Sequence, residues 1–348
     1  VSLLPREKAE KRESLLSPFA ARSGPRQARV KEEAPCPVLT AFQVDCHRIV
    51  HSKAFRRLRG KTQVFLWPEG DHYRTRLTHC QEVSQIARTL ARALDLNEDL
   101  AEAISLGHDL GHTPFGHAGE EVMQRLIPGG FRHERQSLRV VEKLENDGRG
   151  LNLTEEVRDG ILHHSKGRGP LLSDNLEEMP KTLEGQIVRL ADVMAYVNHD
   201  LDDAIRAQVV RPEDLPKTAC AVLGDGHSAR LNSLVLDIVR YTDFEKKRAI
   251  TMGDEALNAM EDLRRFLFKE VYYNAKVHCE FDKARGLIER LWEHFMEDEE
   301  RFYTKYRPDV PHDKNLIDDV RDFVAGMTDA FAITLHERIF VPRRWLIM

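Results

Sequence analysis

Gly107-His108-Asp109-Leu110-Gly111-His112-Thr113-Pro114-Phe115-Gly116-His117-Ala118-Gly119-Glu120 is the stretch that decides how the rest of the chain is read. Its His108-Asp109 pair offers one imidazole nitrogen and one carboxylate oxygen, a mixed donor set that suits divalent metals. Neighbouring side chains on a helix diverge by about 100°. Both therefore reach one ion only if it sits beside the helix and other segments supply the remaining ligands. The glycines at 107, 111, 116 and 119 let backbone pack closely, and Pro114 stiffens a loop that carries His112 and His117. A His-Asp dipeptide alone is commonplace. An amphipathic helix before it and two histidines after it mark this one as a site.

Working back from the stretch, a helix is expected to start near Thr78, where Thr78 and Gln81 have capping-box spacing and Val83, Ile86, Leu90 and Leu94 form an apolar stripe. His79 then lies in the first turn, where the helix dipole disfavours imidazolium and leaves a neutral ring able to bind metal. Asn97 is the expected cap of the next helix, which carries His108 and Asp109 in its last turn and ends at Gly111. Beyond the loop, His117 and Glu120 are three apart at a helix start, so the carboxylate can orient the imidazole and raise its pKa. That arrangement suits a general acid. Phe131 to Gln136, including His133, opens a further helix, and His163-His164 closes another, read as structural or surface.

From Leu183 to Ile205, Leu183, Ile187, Leu190, Met194, Val197 and Leu201 recur in steps of four and three, the pattern of a buried helix. Asp192, Tyr196, His199 and Asp203 share a second, polar stripe, with Asp200 nearby. A carboxylate on so apolar a helix needs a partner, and Asp192 is taken as the fourth metal ligand after His79, His108 and Asp109. Gln63 to Gly70 reads as a strand and turn, the one strand candidate in an otherwise helical chain. The basic run Arg56 to Lys61 reads as a solvated helix flank or an anion site. After Pro212, stripes such as Leu257 to Val271, Phe281 to Phe295 and Ile317 to Phe331 read as three or four more helices.

Composition sets outer limits. The 348 residues can bury one large core or two modest ones, and a net charge of -5 gives no global basic signature for nucleic acid. Five cysteines without paired spacing argue against a disulfide framework or a zinc-thiolate site and fit a reducing cytoplasm. The run Val1 to Glu13 is too charged for a signal peptide, and no apolar run is long enough to span a bilayer, so a cytoplasmic protein without a membrane partner is expected.

The order His79, His108-Asp109, Asp192 resembles the HD-domain metal phosphohydrolases. Arg48 to Leu58, Lys61 to Phe65, Arg74 to His79 and His108 to His117 narrow the likeness to the deoxyguanosinetriphosphate triphosphohydrolase family, over roughly residues 36 to 205. The resemblance implies an all-α fold with a phosphohydrolase core at 39–210; the clustered charge and weak periodicity of 1–38 read as an arm, partly ordered, and the stripes of 211–348 as a helical region packing on the core and on other subunits. The resemblance also implies cleavage of deoxynucleoside triphosphates to deoxynucleoside and triphosphate with one divalent ion, Mg²⁺ or Mn²⁺, in a homo-oligomer, hexameric in the family, that responds to a nucleotide effector. Carried over, His79, His108, Asp109 and Asp192 hold the metal, His117 is catalytic with Glu120 orienting it, His112 and His133 contact phosphate, and Arg76 binds the triphosphate. Gln63 and Asp200 take the sugar 3′-hydroxyl, and Tyr196 packs where a 2′-hydroxyl would lie. Leu39 and Cys46 stand where the family often has arginines. Competing readings are an HD phosphohydrolase acting on a cyclic nucleotide or a guanosine polyphosphate, and a single-stranded DNA binder using the basic run.

Overall fold

The structure, a computed structural model, describes residues 3–24, 28–66, 73–165, 167, 169–173, 175, 178–310 and 315–342. These form an all-α fold, and two isolated β-bridges, Arg29 to Thr154 and Thr62 to Thr75, are the extended pairings among the described residues. Helix α1 (Pro5–Arg12) lies within the stretch read as an arm. The core begins with α2 (Ala41–Val50), α3 (Lys53–Arg57), α4 (Arg76–Ala93) and α5 (Glu98–Gly107), then α6 (His117–Leu126), α7 (His133–Arg139), α8 (Glu155–His163) and α9 (Leu183–Arg206). Six longer helices follow: α10 (Lys217–Leu223), α11 (His227–Tyr241), α12 (Asp254–Phe266), α13 (Ala275–Glu297), α14 (Leu316–Ala325) and α15 (Asp329–Phe340), where three or four were expected.

α9 is the central column. Its predicted apolar stripe is fully inside, with Ile187, Met194, Val197 and Leu201 at 0% exposure, and each such side chain contributes about 1.5–3 kcal/mol on burial. The helix packs on α4, α5 and α8, and α5 is further sandwiched by α2 and α4. Polar stripe positions on α9 are thereby pushed against α4, which is why Asp192 and His199 meet His79. A second apolar cluster joins Phe115, Val122, Met123 and Phe131 to Ile288, Leu291, Phe295, Val320 and Val324, so α6 leans on α13 and α14. Residues of α10, α11 and α12 pack instead into the first cluster with α9.

Several local expectations change. Helix α4 starts at Arg76, capped by Thr75, whose side chain accepts from the Thr78 amide. Thr78 is the reciprocal member of the box, returning its hydroxyl to the Thr75 amide at 3.0 Å, so His79 lies one turn in. Residues 63–66 form no strand, and 67–72 lie outside the described residues. Val64 is buried, Phe65 packs on the first cluster and Leu66 on the second; an apolar run without a neighbouring strand for its backbone groups serves as a packed loop. Asn97 does cap α5, accepting from Asp99 and Leu100, and the helix ends at Gly107 with His108 as its C-cap. Phe331 departs from the expected stripe and is exposed, because the chain breaks at Gly326 between α14 and α15.

Candidate active site

Three helices converge beneath the loop after α5. His79 comes from α4, His108 and Asp109 from the end of α5, and Asp192 from the middle of α9. His79 Nε2 lies 3.1 Å from Asp192 Oδ1 and 4.0 Å from Asp109 Oδ2; His108 Nε2 lies 3.4 Å from Asp109 Oδ1 and 4.0 Å from Asp192 Oδ1. His108 donates Nδ1–H to the Ser105 carbonyl at 2.7 Å, which leaves Nε2 as a lone pair, buried and without a hydrogen-bond partner. Fixing one ring nitrogen so that the other faces inward is how metal-ligating histidines are oriented. His79 is held similarly, with Nδ1 2.8 Å from His199 Nε2. An orphaned buried imidazole nitrogen beside two carboxylates and a second imidazole fits a divalent cation.

The dipole expectation for His79 gives way to a nearer charge. Burial lowers its pKa, but the hydrogen bond and charge of Asp192 outweigh this and leave it raised. A cation bound at this point displaces that proton. Asp109 is held well below the usual carboxylate range: burial works against ionisation, and His108, His112 and Arg76 override it. Arg76 donates to Asp109 Oδ2 at 2.7 Å, so here it rests on an expected ligand.

A second histidine layer covers this set. His112 and His133 stack with ring centroids 4.0 Å apart. Helix α7 comes this close because Gly111 has no side chain: a Cβ there would lie 2.1 Å from the Ser137 nitrogen. Ser137 Oγ ties the two segments, accepting from Gly111 N at 2.8 Å and donating to the His108 carbonyl at 2.6 Å. Glu120 meets both His117 and His133, but unequally. Its Oε1 accepts from His133 Nδ1 and the His133 amide, each at 2.9 Å, whereas His117 Nδ1 stands 3.6 Å from Oε2 with 80% of its side chain exposed. Burial lowers the His133 pKa, yet the Glu120 charge raises it to about 9. The pKa-raising carboxylate expected for His117 thus acts on His133.

Three neighbours, His164, His199 and Tyr272, have no site role in the reading of the sequence. His164 is buried, donates Nδ1–H to the Ile161 carbonyl at 2.7 Å, and presents Nε2 3.2 Å from His133 Nε2; burial first, then His108 and His133, push its pKa down to about 3. The reading of His163-His164 as structural or surface misses this, since the partner lies on a different helix. His199 carries a usable signal, its place on the Asp192 stripe. Tyr272 also enters, donating its hydroxyl to Asp200 Oδ2.

Asp200 Oδ1 lies 2.5 Å from His199 Nδ1 but off the hydrogen-bonding direction, and remains a buried acceptor without an aligned partner, as does Gln63 Oε1. The Gln63 carbonyl sits 3.7 Å from where a Cβ on Gly116 would be, so its segment lines the loop. Tyr196 is half-buried one turn beyond Asp192. Of the basic run, Lys61 is fully inside, its ammonium bonded to the His112 and Ala325 carbonyls, and burial then Arg57 lower its pKa to about 7. It offers nothing to a nucleic-acid strand.

Relatives are similar along nearly the whole chain. A deoxyguanosinetriphosphate triphosphohydrolase-like protein of Caldanaerobacter subterraneus subsp. tengcongensis is 52% identical over 332 residues, covering 95% of this chain and 94% of that one. The chain belongs to the deoxyguanosinetriphosphate triphosphohydrolase-like family. Relatives of the same name in Desulfatibacillum aliphaticivorans and Ralstonia nicotianae are 49% and 40% identical, covering 97% and 94% of this chain and 98% and 95% of theirs. Residues 76–196 match the HD domain and 250–338 the phosphohydrolase-associated domain. A solved phosphohydrolase of Bacteroides thetaiotaomicron, 18% identical with a TM-score of 0.51 over 83% of this chain and 67% of that one, shares the fold. The dGTPase-like chain is therefore an HD-domain phosphohydrolase. No helix among the described residues is long and apolar enough to cross a membrane.

Proposed function

We propose that the protein hydrolyses deoxynucleoside triphosphates to the deoxynucleoside and inorganic triphosphate. The observation that carries the sugar end of this reading is the pair of buried acceptors without aligned partners, Gln63 Oε1 and Asp200 Oδ1, near a His/Asp metal set. Unmatched buried acceptors cost free energy until a ligand donor meets them, and a sugar 3′-hydroxyl is such a donor. His79, His108, Asp109 and Asp192 hold one divalent ion, Mg²⁺ or Mn²⁺, the two imidazoles favouring the latter. That ion, when bound, polarises a phosphoryl oxygen and lowers the pKa of attacking water. Arg76 and His112 contact the triphosphate. His133, with Nδ1 on Glu120 and Nε2 on His164, is a fixed cation toward phosphate, while the less constrained His117 passes a proton to the departing 5′-oxygen. The relatives' shared name supports a deoxyguanosine nucleotide among the substrates.

Product analysis after incubation with each deoxynucleoside triphosphate and Mg²⁺ or Mn²⁺ tests the reading. Free triphosphate with deoxynucleoside is expected; pyrophosphate or a monophosphate as the first product rejects it. Sugar discrimination is a further expected result. Tyr196 lies one turn past Asp192, so its ring covers the sugar and excludes a 2′-hydroxyl. Loss of the 3′-hydroxyl leaves the two acceptors unmatched at about 1–3 kcal/mol each. GTP is expected to be cleaved hardly at all where dGTP is turned over, and Tyr196→Ala to narrow the gap. Equal wild-type rates on both nucleotides would remove Tyr196 from the sugar pocket.

The pH profile carries a third expectation. A step that needs charged His133 proceeds below its pKa of about 9 and fails as pH rises through it. Glu120→Gln removes the charge that raises this pKa, so the basic limb of kcat/KM moves to lower pH. A limb that stays in place would dissociate His133 from the titration.

A further inference from the structure

The loop that carries His117 is held from the far end of the chain. Asp329, buried at the first position of α15, accepts from the Phe115 amide through Oδ1 at 2.9 Å and from the Thr62 amide through Oδ2 at 2.9 Å, with the Thr62 hydroxyl also on Oδ2. Four residues earlier, the Ala325 carbonyl accepts from Lys61 Nζ at 2.8 Å, and the same ammonium reaches the His112 carbonyl. Residues 325–329 thus bind both the segment at 61–62 and the loop at 112–115. The bonded loop residue is not an ordinary one. Phe115 has φ +61° and Gly116 φ +55°, and a non-glycine residue in the left-handed region persists only where surroundings over-determine it. Directly after this kink comes His117 at the start of α6, with Glu120 one turn on. A Cβ on Gly116 would stand 3.2 Å from the Arg76 guanidinium, so the kink also sets how closely the loop approaches Arg76.

We propose that Asp329, together with Lys61, is a positioning residue for catalysis: it fixes the Phe115–Gly116 kink and thereby the placement of His117, which makes the start of α15 a working part of the active site. The inference rests on the reading of His117 as the proton-transferring group. A carboxylate is required because all three of its partners are donors and only an acceptor-only group satisfies both sides at once. Asp329→Asn keeps one oxygen for Thr62 and turns an amide NH₂ toward the Phe115 N–H, loosening the kink while α15 stays docked. Thr62→Val removes only the hydroxyl donor and leaves the Phe115 contact.

The experiment compares these two full-length variants with wild type in Mn²⁺-dependent dGTP turnover, bound Mn²⁺, thermal midpoint and amide exchange of the 110–118 peptide. Asp329→Asn is expected to lower kcat by about 100-fold, the scale of a small misplacement of a reacting group. KM and bound Mn²⁺ stay near wild type, and exchange accelerates in 110–118 but not in α4. Thr62→Val is expected to keep kcat and exchange. Wild-type kcat and exchange in Asp329→Asn would overturn the proposal, as would equal loss of kcat, Mn²⁺ and thermal midpoint in both variants, which is the pattern of a purely structural contact. If Asp329→Asn does not fold, Lys61→Met, which deletes the donor to the His112 and Ala325 carbonyls, is put through the same comparison; failure of both to fold would make the contact a requirement of folding and overturn the positioning role. A wild-type protein that leaves dGTP intact would reject the proposed reaction, while the exchange contrast would still decide whether Asp329 holds the loop.

Discussion

Asp192→Ala is expected to empty the site of its divalent ion and abolish hydrolysis, and Asp109→Ala to do the same with a loss of stability in addition. Each removes one of only two carboxylates from the proposed ligand set, and two neutral imidazoles with a single carboxylate hold Mg²⁺ or Mn²⁺ more weakly. The surroundings separate the two variants. Among the described residues Asp192 hydrogen-bonds His79 alone, and its side chain is partly open, 21% exposed, so its loss strands little. Asp109 is buried against Arg76 at 2.7 Å. Removing it leaves a buried guanidinium uncompensated, a change that typically costs about 3–5 kcal/mol. Metal content after dialysis, turnover and thermal midpoint, measured on both variants, check this. Metal retained at wild-type occupancy in either variant would take that residue off the ligand list, and equal midpoints would show that Arg76 finds another partner.

What the sequence made legible follows the range over which each signal acts. The Asn97 cap acts over three residues, and the α9 stripe repeats within one helix, so both are read directly and both position proposed ligands: His108 and Asp109 just past the end of α5, Asp192 on the polar side of α9. The expected start of α4 lies two residues late because Thr75 and Thr78 both look like caps, and only the hydrogen bonds show that Thr75 is the N-cap and Thr78 its partner three residues on. Contacts that join distant segments leave no such trace. His164 meets His133 across 31 positions, and Asp329 meets Thr62 across 267. Lys61 misled for a related reason. A lysine in a run of arginines reads as solvent-facing, since a buried ammonium is costly without partners; here its partners are two backbone carbonyls, and carbonyls have no letter in a sequence.

The same limit governs the roles of His117 and His133, and His117→Ala decides between them. Spacing alone pairs Glu120 with His117, three positions away, and hides that Glu120 makes its 2.9 Å contacts with His133. The geometry divides the labour. His133 donates to Glu120 through Nδ1, and His164, whose own proton is committed to the Ile161 carbonyl, can only accept from its Nε2. With both nitrogens engaged as donors, His133 suits charge stabilisation. His117 has loose contacts, with Nδ1 3.6 Å from Glu120 and its ring centroid 6.0 Å from that of His112, and an exposed ring, so it can approach a leaving oxygen and turn over its proton. His117→Ala is therefore expected to keep bound metal and nucleotide affinity and to lower kcat by roughly two to four orders of magnitude, the range for a lost general acid or base. Because the side chain is exposed and outside both apolar clusters, the thermal midpoint should hold. Single-turnover rates with saturating dGTP measure the chemical step directly; a raised KM with kcat intact would make His117 a binding residue and pass the proton transfer to the buried pair behind it.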